Sequence, residues 1–125
     1  MRTFAIGDRA IGNGRPCYIV AEISGNHNRS YDRAVELVKA AKAAGADAVK
    51  LQTYTADTLT IDSDQRWFRV PAGSAWAGKS LYQLYGEAYT PWEWQPKLQR
   101  LALELGLDCF STPFDRTAVD FLEQM

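Results

Sequence analysis

Two side chains of opposite charge stand inside apolar runs of this sequence: Glu22 in residues 17–23 (CYIVAEI) and Lys50 in residues 48–53 (AVKLQT). A charge placed in a buried strand is costly unless it is paired or meets a ligand. Two readings follow. As neighbours on adjacent strands the two residues form one structural ion pair. Alternatively, Lys50 binds a phosphate or carboxylate while Glu22 orients a substrate hydroxyl or moves a proton. Further polar residues gather at the ends of such runs. Ser24, Asn26, His27 and Asn28 follow the first, Gln52 and Thr53 close the second, and Ser111, Thr112 and Asp115 end a third, residues 107–111 (LDCFS). His27 is the single histidine, and with no second His or Cys at ligand spacing it reads as a hydrogen-bonded part of its loop. Ser111 and Thr112 precede a helix, where they either cap it or donate to an anion near its N-terminus. Trp92 and Trp94 read as packing residues. The glycine fingerprints of dinucleotide and nucleoside triphosphate sites are absent, as is the nucleophile elbow.

Periodicity supplies the elements that must position these groups. Phe4, Ile6, Ala10 and Ile11 around Gly7-Asp8 predict a hairpin over 4–11. Residues 17–23 are nearly continuously apolar, as in a parallel strand buried on both faces. Ser30 is placed to cap a helix over 31–44, whose buried face carries Ala34, Leu37, Val38 and Ala41, and Gly45 ends it. Residues 48–53 form the second strand. Residues 54–78 are irregular and longer than an ordinary βα loop, and their aromatics suggest a functional segment. A short helix is predicted over 80–88. Thr90-Pro91-Trp92-Glu93 has the pattern of a capping box for a helix bearing Trp94, Leu98, Leu101 and Leu105, with Pro96 moving its regular part nearer Gln95. Gly106 closes that helix before the third strand, and 115–125 read as an amphipathic helix. Strand, helix, glycine and strand in repetition give an α/β fold with a parallel sheet, either doubly wound or a β/α barrel. No capping residue follows the last helix, so the chain is expected to be the front of a longer protein.

Composition limits the function classes. With 14 basic and 15 acidic residues among 125, and 46% hydrophobic residues, the chain reads as one globular domain without an electrostatic footprint for nucleic acid. No apolar run approaches the ~20 residues that cross a bilayer, so no membrane partner is expected. Cys17 and Cys109 are too few and too far apart for a disulfide framework; each sits in an apolar run as a small hydrophobe. A reducing cytoplasm is the expected compartment.

Four blocks in order carry a resemblance: AEISGNHN (21–28), AGADAVKLQTYTADTLT (44–60), LYQLYGEAYTPWEW (81–94) and CFSTPFDRTAVDFLE (109–123). They resemble the N-terminal part of the sialic acid synthase family, most closely its pseudaminic acid branch. The resemblance runs from about Tyr18 to the last residue. It implies the N-terminal portion of a TIM-type (β/α)8 barrel behind a short hairpin, with about three of the eight βα units present. Residues 1–125 would then be a fragment lacking the rest of the barrel and an antifreeze-like domain. The implied reaction condenses phosphoenolpyruvate with an N-acylated amino sugar aldehyde, giving a nine-carbon keto acid and phosphate. A divalent metal, Mn or Mg, is implied as cofactor, with histidine ligands in later strands outside this chain. By the same resemblance Lys50 holds the phosphoenolpyruvate anion and Thr112 hydrogen-bonds its phosphate. Glu22 lies beside the sugar as the candidate for proton handling, and Gln52 and Ser111 line the same mouth. Asn26, His27 and Tyr54 shape the loops or touch the sugar, which the segment 54–89 covers. The full-length protein is expected to be a homodimer, and this chain alone to be inactive.

Two rival classes share parts of this pattern. A small flavodoxin-like binding domain requires two more strands and a completed final helix. A non-catalytic truncated paralogue would keep the same four blocks.

Overall fold

The computed structural model describes residues 3–125. A hairpin of β1 (Phe4–Ile6) and β2 (Arg9–Ile11) is antiparallel, with Phe4 opposite Ile11, and Gly7 at φ +54° makes its turn. A separate parallel sheet has the order β3 (Val20–Glu22), β4 (Ala48–Thr53), β5 (Asp108–Pro113), so β4 is central. The helices are α1 (Tyr31–Ala43), α2 (Ala56–Leu59), α3 (Leu81–Ala88), α4 (Gln95–Glu104) and α5 (Arg116–Glu123). Three βα units result, and the expected α/β class with a parallel sheet is what the chain adopts.

Ser30 caps α1 as expected, its hydroxyl accepting from the Arg33 N–H at 3.2 Å, and Gly45 leaves the helix at φ +85°. Ala34, Val38 and Ala41 of α1 and Leu98 and Ala102 of α4 close over Val49 and Leu51 of β4, joined by Ile23 and Leu107. Because side chains alternate along a strand, Val49 and Leu51 commit one face of β4 to the helices and send Lys50 and Gln52 to the other. Burial follows the same alternation: Val49, Leu51 and Thr53 are buried, Lys50 and Gln52 only partly so.

Five expectations are corrected. The strand expected over 17–23 contracts to Val20–Glu22 and is not buried on both faces. It lies at the sheet edge, Ala21 and Ile23 pack inward, and Val20 stays 41% exposed. Cys17 falls outside the strand and is exposed; Cys109 is the thiol that behaves as a hydrophobe, burial pushing it up to about 11. The segment 54–78 holds the four-residue α2, capped reciprocally by Thr55 and Thr58, and a 3-10 turn over Arg66–Phe68. Thr90 makes no capping box. Pro91 is itself extended, at ψ 129°, so the chain turns helical only at Trp92, in a 3-10 turn, and α4 then begins at Gln95, as expected from Pro96. Asp115, rather than Ser111 or Thr112, caps α5, accepting from the Thr117 and Ala118 N–H groups.

The hairpin is tied to the N-terminal ends of the strands. Arg9 ion-pairs with Asp47 and also donates to the Gly106 carbonyl at 3.3 Å, and the Tyr18 hydroxyl donates to Asp108. Desolvation and the Asp108 carboxylate push the Tyr18 phenol up to about 12. Asp47 accepts in addition from the Ile19 N–H at 2.7 Å, fixing the entry to β3.

The packing makes a contrast testable. Leu98 is fully buried and Leu103, half a turn away in effect, is 57% exposed. Leu98→Ala is expected to lower the unfolding free energy by about 3 kcal/mol in urea titrations. Leu103→Ala should stay within about 0.5 kcal/mol of the parent. Equal losses would refute this assignment of faces.

Candidate active site at the strand ends

The register of the sheet assembles the site. Glu22 pairs with Lys50 across β3 and β4, Lys50 with Phe110 across β4 and β5, and Gln52 with Thr112. Residues at paired positions of parallel strands point to the same side, so Glu22, Lys50, Gln52, Phe110 and Thr112 share the face away from the helices. The Lys50 Nζ lies 2.6 Å from the Glu22 carboxylate, and each side chain keeps about a third of its surface in solvent (34% and 35%). A pair this wet contributes only about 1 kcal/mol. Its cation is therefore held in place without being sealed off, and an incoming anion can share it.

Ser111 is the exception among the expected residues. It is paired with Leu51, not Lys50, and so faces the helices. The Thr53 hydroxyl donates to the Gln95 side-chain oxygen at 2.8 Å, so the hydroxyl contact of 2.6 Å between Ser111 and Thr53 must have Ser111 as donor. Gln95 is buried and its amide nitrogen reaches the Gln52 carbonyl at 3.4 Å. Ser111 thus belongs to a polar thread that fixes β4, β5 and α4 behind the site, and it does not line the mouth.

The loop after β3 is tightly specified. Ser24, Asn28 and Arg29 all take left-handed backbone, at φ 49°, 47° and 56°. Each such non-glycine residue costs about 1 kcal/mol, less for Asn, and persists only where the surroundings over-determine it. Asn26 turns back on the loop, its side-chain amide donating to the Ile23 carbonyl at 3.0 Å. His27 is completely buried. Its Nδ1 accepts the Arg29 N–H at 3.1 Å, so Nε2 carries the proton and donates to the Thr90 hydroxyl at 3.0 Å. The Trp94 ring meets it edge-on, with centroids 5.4 Å apart. Burial lowers the His27 pKa. Tyr54, just past β4, is buried between Tyr85 of α3 and Phe114 beyond β5, and burial pushes its phenol up to about 12. Thr90, Gln95 and Arg29 were not singled out by sequence reasoning; Thr90 in particular was hidden by its plausible role as a helix cap.

Among the described residues no three His, Cys, Asp or Glu side chains gather as a metal-binding group. Glu22 is engaged by Lys50, and both ring nitrogens of His27 are hydrogen-bonded. The residues at these strand ends do not form a donor set for a divalent cation. No helix among the described residues is long and apolar enough to cross a membrane.

Comparison with known proteins decides the family. The sequence profile of the NeuB family matches residues 37–125. The chain belongs to the NeuB family. It is 44% identical over 117 residues to the pseudaminic acid synthase of Campylobacter jejuni, covering 91% of this chain and 34% of that protein. The pseudaminic acid synthase of Helicobacter pylori is likewise 44% identical, over 89% of this chain and 32% of its own length. The N,N'-diacetyllegionaminic acid synthase of Legionella pneumophila is 37% identical over 93% of this chain. This NeuB chain thus spans about one third of the relatives it matches. Among solved structures, an N-acetylneuraminic acid synthetase from Leptospira borgpetersenii superposes with a TM-score of 0.77 at 21% identity, over 98% of this chain and 38% of that one. The Bacillus subtilis spore coat polysaccharide biosynthesis protein SpsE superposes with a TM-score of 0.68 at 29% identity, over 98% and 31%. The barrel ancestry expected from the sequence is borne out by these neighbours.

The buried histidine sets a pH dependence. With its folded-state pKa lowered, His27 stays neutral in the fold while the unfolded chain takes up a proton as pH falls through about 6.5. Stability associated with His27 is present above that value and declines as pH drops below it. Urea titrations between pH 7.5 and 5.5 should show this decline, and His27→Gln should flatten it. Identical pH profiles for the two proteins would contradict a neutral buried imidazole.

Proposed function

We propose that this chain is the N-terminal part of a phosphoenolpyruvate-dependent nonulosonic acid synthase of the pseudaminic type. The observation that carries the reading is the shared face of Glu22, Lys50, Gln52 and Thr112 at the C-terminal ends of three parallel strands. That end of a parallel α/β sheet is where such folds place their chemistry. The 44% identity to pseudaminic acid synthases supports the substrate class.

In this reading the phosphoenolpyruvate anion binds Lys50, with the Thr112 hydroxyl donating to a phosphate oxygen. The anion competes with Glu22 for the lysine, which frees the carboxylate beside the reacting carbons. Carbon 3 of phosphoenolpyruvate bonds to the sugar aldehyde carbon, whose oxygen takes a proton. Water then adds to the cationic C2 and gives up a proton, for which Glu22 is the nearby base. Phosphate departs by C–O cleavage and leaves the 2-keto acid. A divalent cation, Mn or Mg, supplies Lewis-acid polarisation of the aldehyde when bound; its ligands are proposed to lie in sequence beyond residue 125. Gln52 shares the face and orients substrate. The whole enzyme is proposed to be a cytoplasmic homodimer, and this chain by itself to give no turnover.

The test uses the natural full-length product with phosphoenolpyruvate and a panel of N-acylated amino sugars, read by phosphate release and the mass of the keto acid. Lys50→Met is expected to reduce kcat/KM for phosphoenolpyruvate by about 10- to 100-fold, the value of a hydrogen bond to a charged group. An unaltered kcat/KM would remove Lys50 from the site. Turnover by the 125-residue chain alone would refute its proposed dependence on further sequence.

A further inference from the structure

The loop after β3, residues 23–30, touches α3 and the residues just past it in three independent ways. His27 Nε2 donates to Thr90, two residues past the end of the helix. The Arg29 guanidinium donates to the Gly86 carbonyl at 3.2 Å and lies 5.8 Å from the Tyr89 ring centroid. Gly25 abuts Ala88 so closely that a Cβ there would fall 2.7 Å from the Ala88 carbonyl oxygen. Helix α3 is also seated through Tyr85 on Tyr54, which in turn meets Phe114. Tyr54 and Phe114 directly follow β4 and β5. Helix α3 and the residues just past it therefore span the C-terminal ends of β3 and β4, Tyr54 links them on to Phe114 beyond β5, and the loop after β3 holds the far end of the helix.

We infer that His27 is a positioning residue that latches α3 across the strand ends through its hydrogen bond to Thr90. The division of labour between the two ring nitrogens makes the latch specific. Nδ1 holds the loop to itself through the Arg29 N–H, and Nε2 reaches out to the other element. Thr90 hydrogen-bonds the imidazole and Trp94 packs edge-on against it. Burial of the ring obliges the Nε2 proton to find an acceptor, and the acceptor it finds belongs to the segment just past α3, 63 positions away. This role concerns the placement of α3 and does not require that Lys50 bind phosphoenolpyruvate.

Amide hydrogen exchange on this chain, resolved by segment, tests it. Thr90→Val removes the acceptor and keeps the shape, so the α3 amides are expected to exchange about tenfold faster. Those of α1 and β4 should stay within about twofold, since local opening does not involve them. Thr90→Ser restores the hydroxyl and should restore protection. Asn at position 27 (His27→Asn) can still accept from Arg29 but cannot reach Thr90, and should reproduce the Thr90→Val pattern. If α3 exchange is unchanged, or if α1, β4 and α3 all loosen together without rescue by Thr90→Ser, the latch is overturned. Should Thr90→Val fail to fold, His27→Asn removes the same hydrogen bond from the loop side. Selective loosening of α3 there supports the latch, and uniform loosening overturns it.

Discussion

The parallel register that sets Glu22 opposite Lys50 is the constraint on which the site depends. It is not an independent feature of the surface. The same register sets Ala21 opposite Val49 and Leu51 opposite Ser111, and so decides which residues meet α1 and α4. A one-residue slip of β4 would turn Lys50 into a core lined by Val38, Leu98 and Ala102 and expose Val49 and Leu51. Burying the unpaired ammonium would cost several kcal/mol. Core packing and the placement of the charges are therefore enforced by one alternation, and neither can drift without the other.

The surroundings of the pair explain why a modest ion pair can still organise a site. Phe110 lies on the same face, beside Lys50, and is about half exposed. Apolar neighbours lower the local dielectric without closing the face to solvent, which strengthens the pull of the cation on an anion that approaches from the open side. Behind the strands, the thread from Ser111 through Thr53 to Gln95 satisfies the hydroxyls of Thr53 and Ser111, and no buried side-chain polar atom among the described residues is left unpartnered. Rigid backing with a solvated front is what a reusable anion site requires.

Much of this was legible in the sequence. The bounds of β4, the cap of α1 by Ser30 and the pairing of Glu22 with Lys50 followed from period, spacing and the cost of unpaired charge. The errors have physical causes. The first strand was read as buried on both faces because apolar content does not reveal an edge position. Ser111 was grouped with Thr112, yet consecutive residues of a strand cannot face the same side, so the pleat alone could have separated them. Thr90 has the composition of a cap, but Pro91 at ψ 129° delays the helix by one residue and frees the hydroxyl for His27. Nothing local in the sequence marks that partnership, since 63 residues separate the two side chains. The family resemblance added what spacing could not, the chemistry of the substrate.

The ties of the N-terminal hairpin have a consequence for the order of assembly. Arg9 reaches Gly106 across 97 residues and Tyr18 reaches Asp108 across 90. Contacts so distant along the chain confer nothing until the intervening loop has closed, and the entropy of that closure must be met first. The tie from Arg9 to Asp47 spans only 38 residues and can form with β4, whereas those to Gly106 and Asp108 form only as β5 joins the sheet. The second set of ties therefore fastens the segment before β3 as β5 pairs with β4.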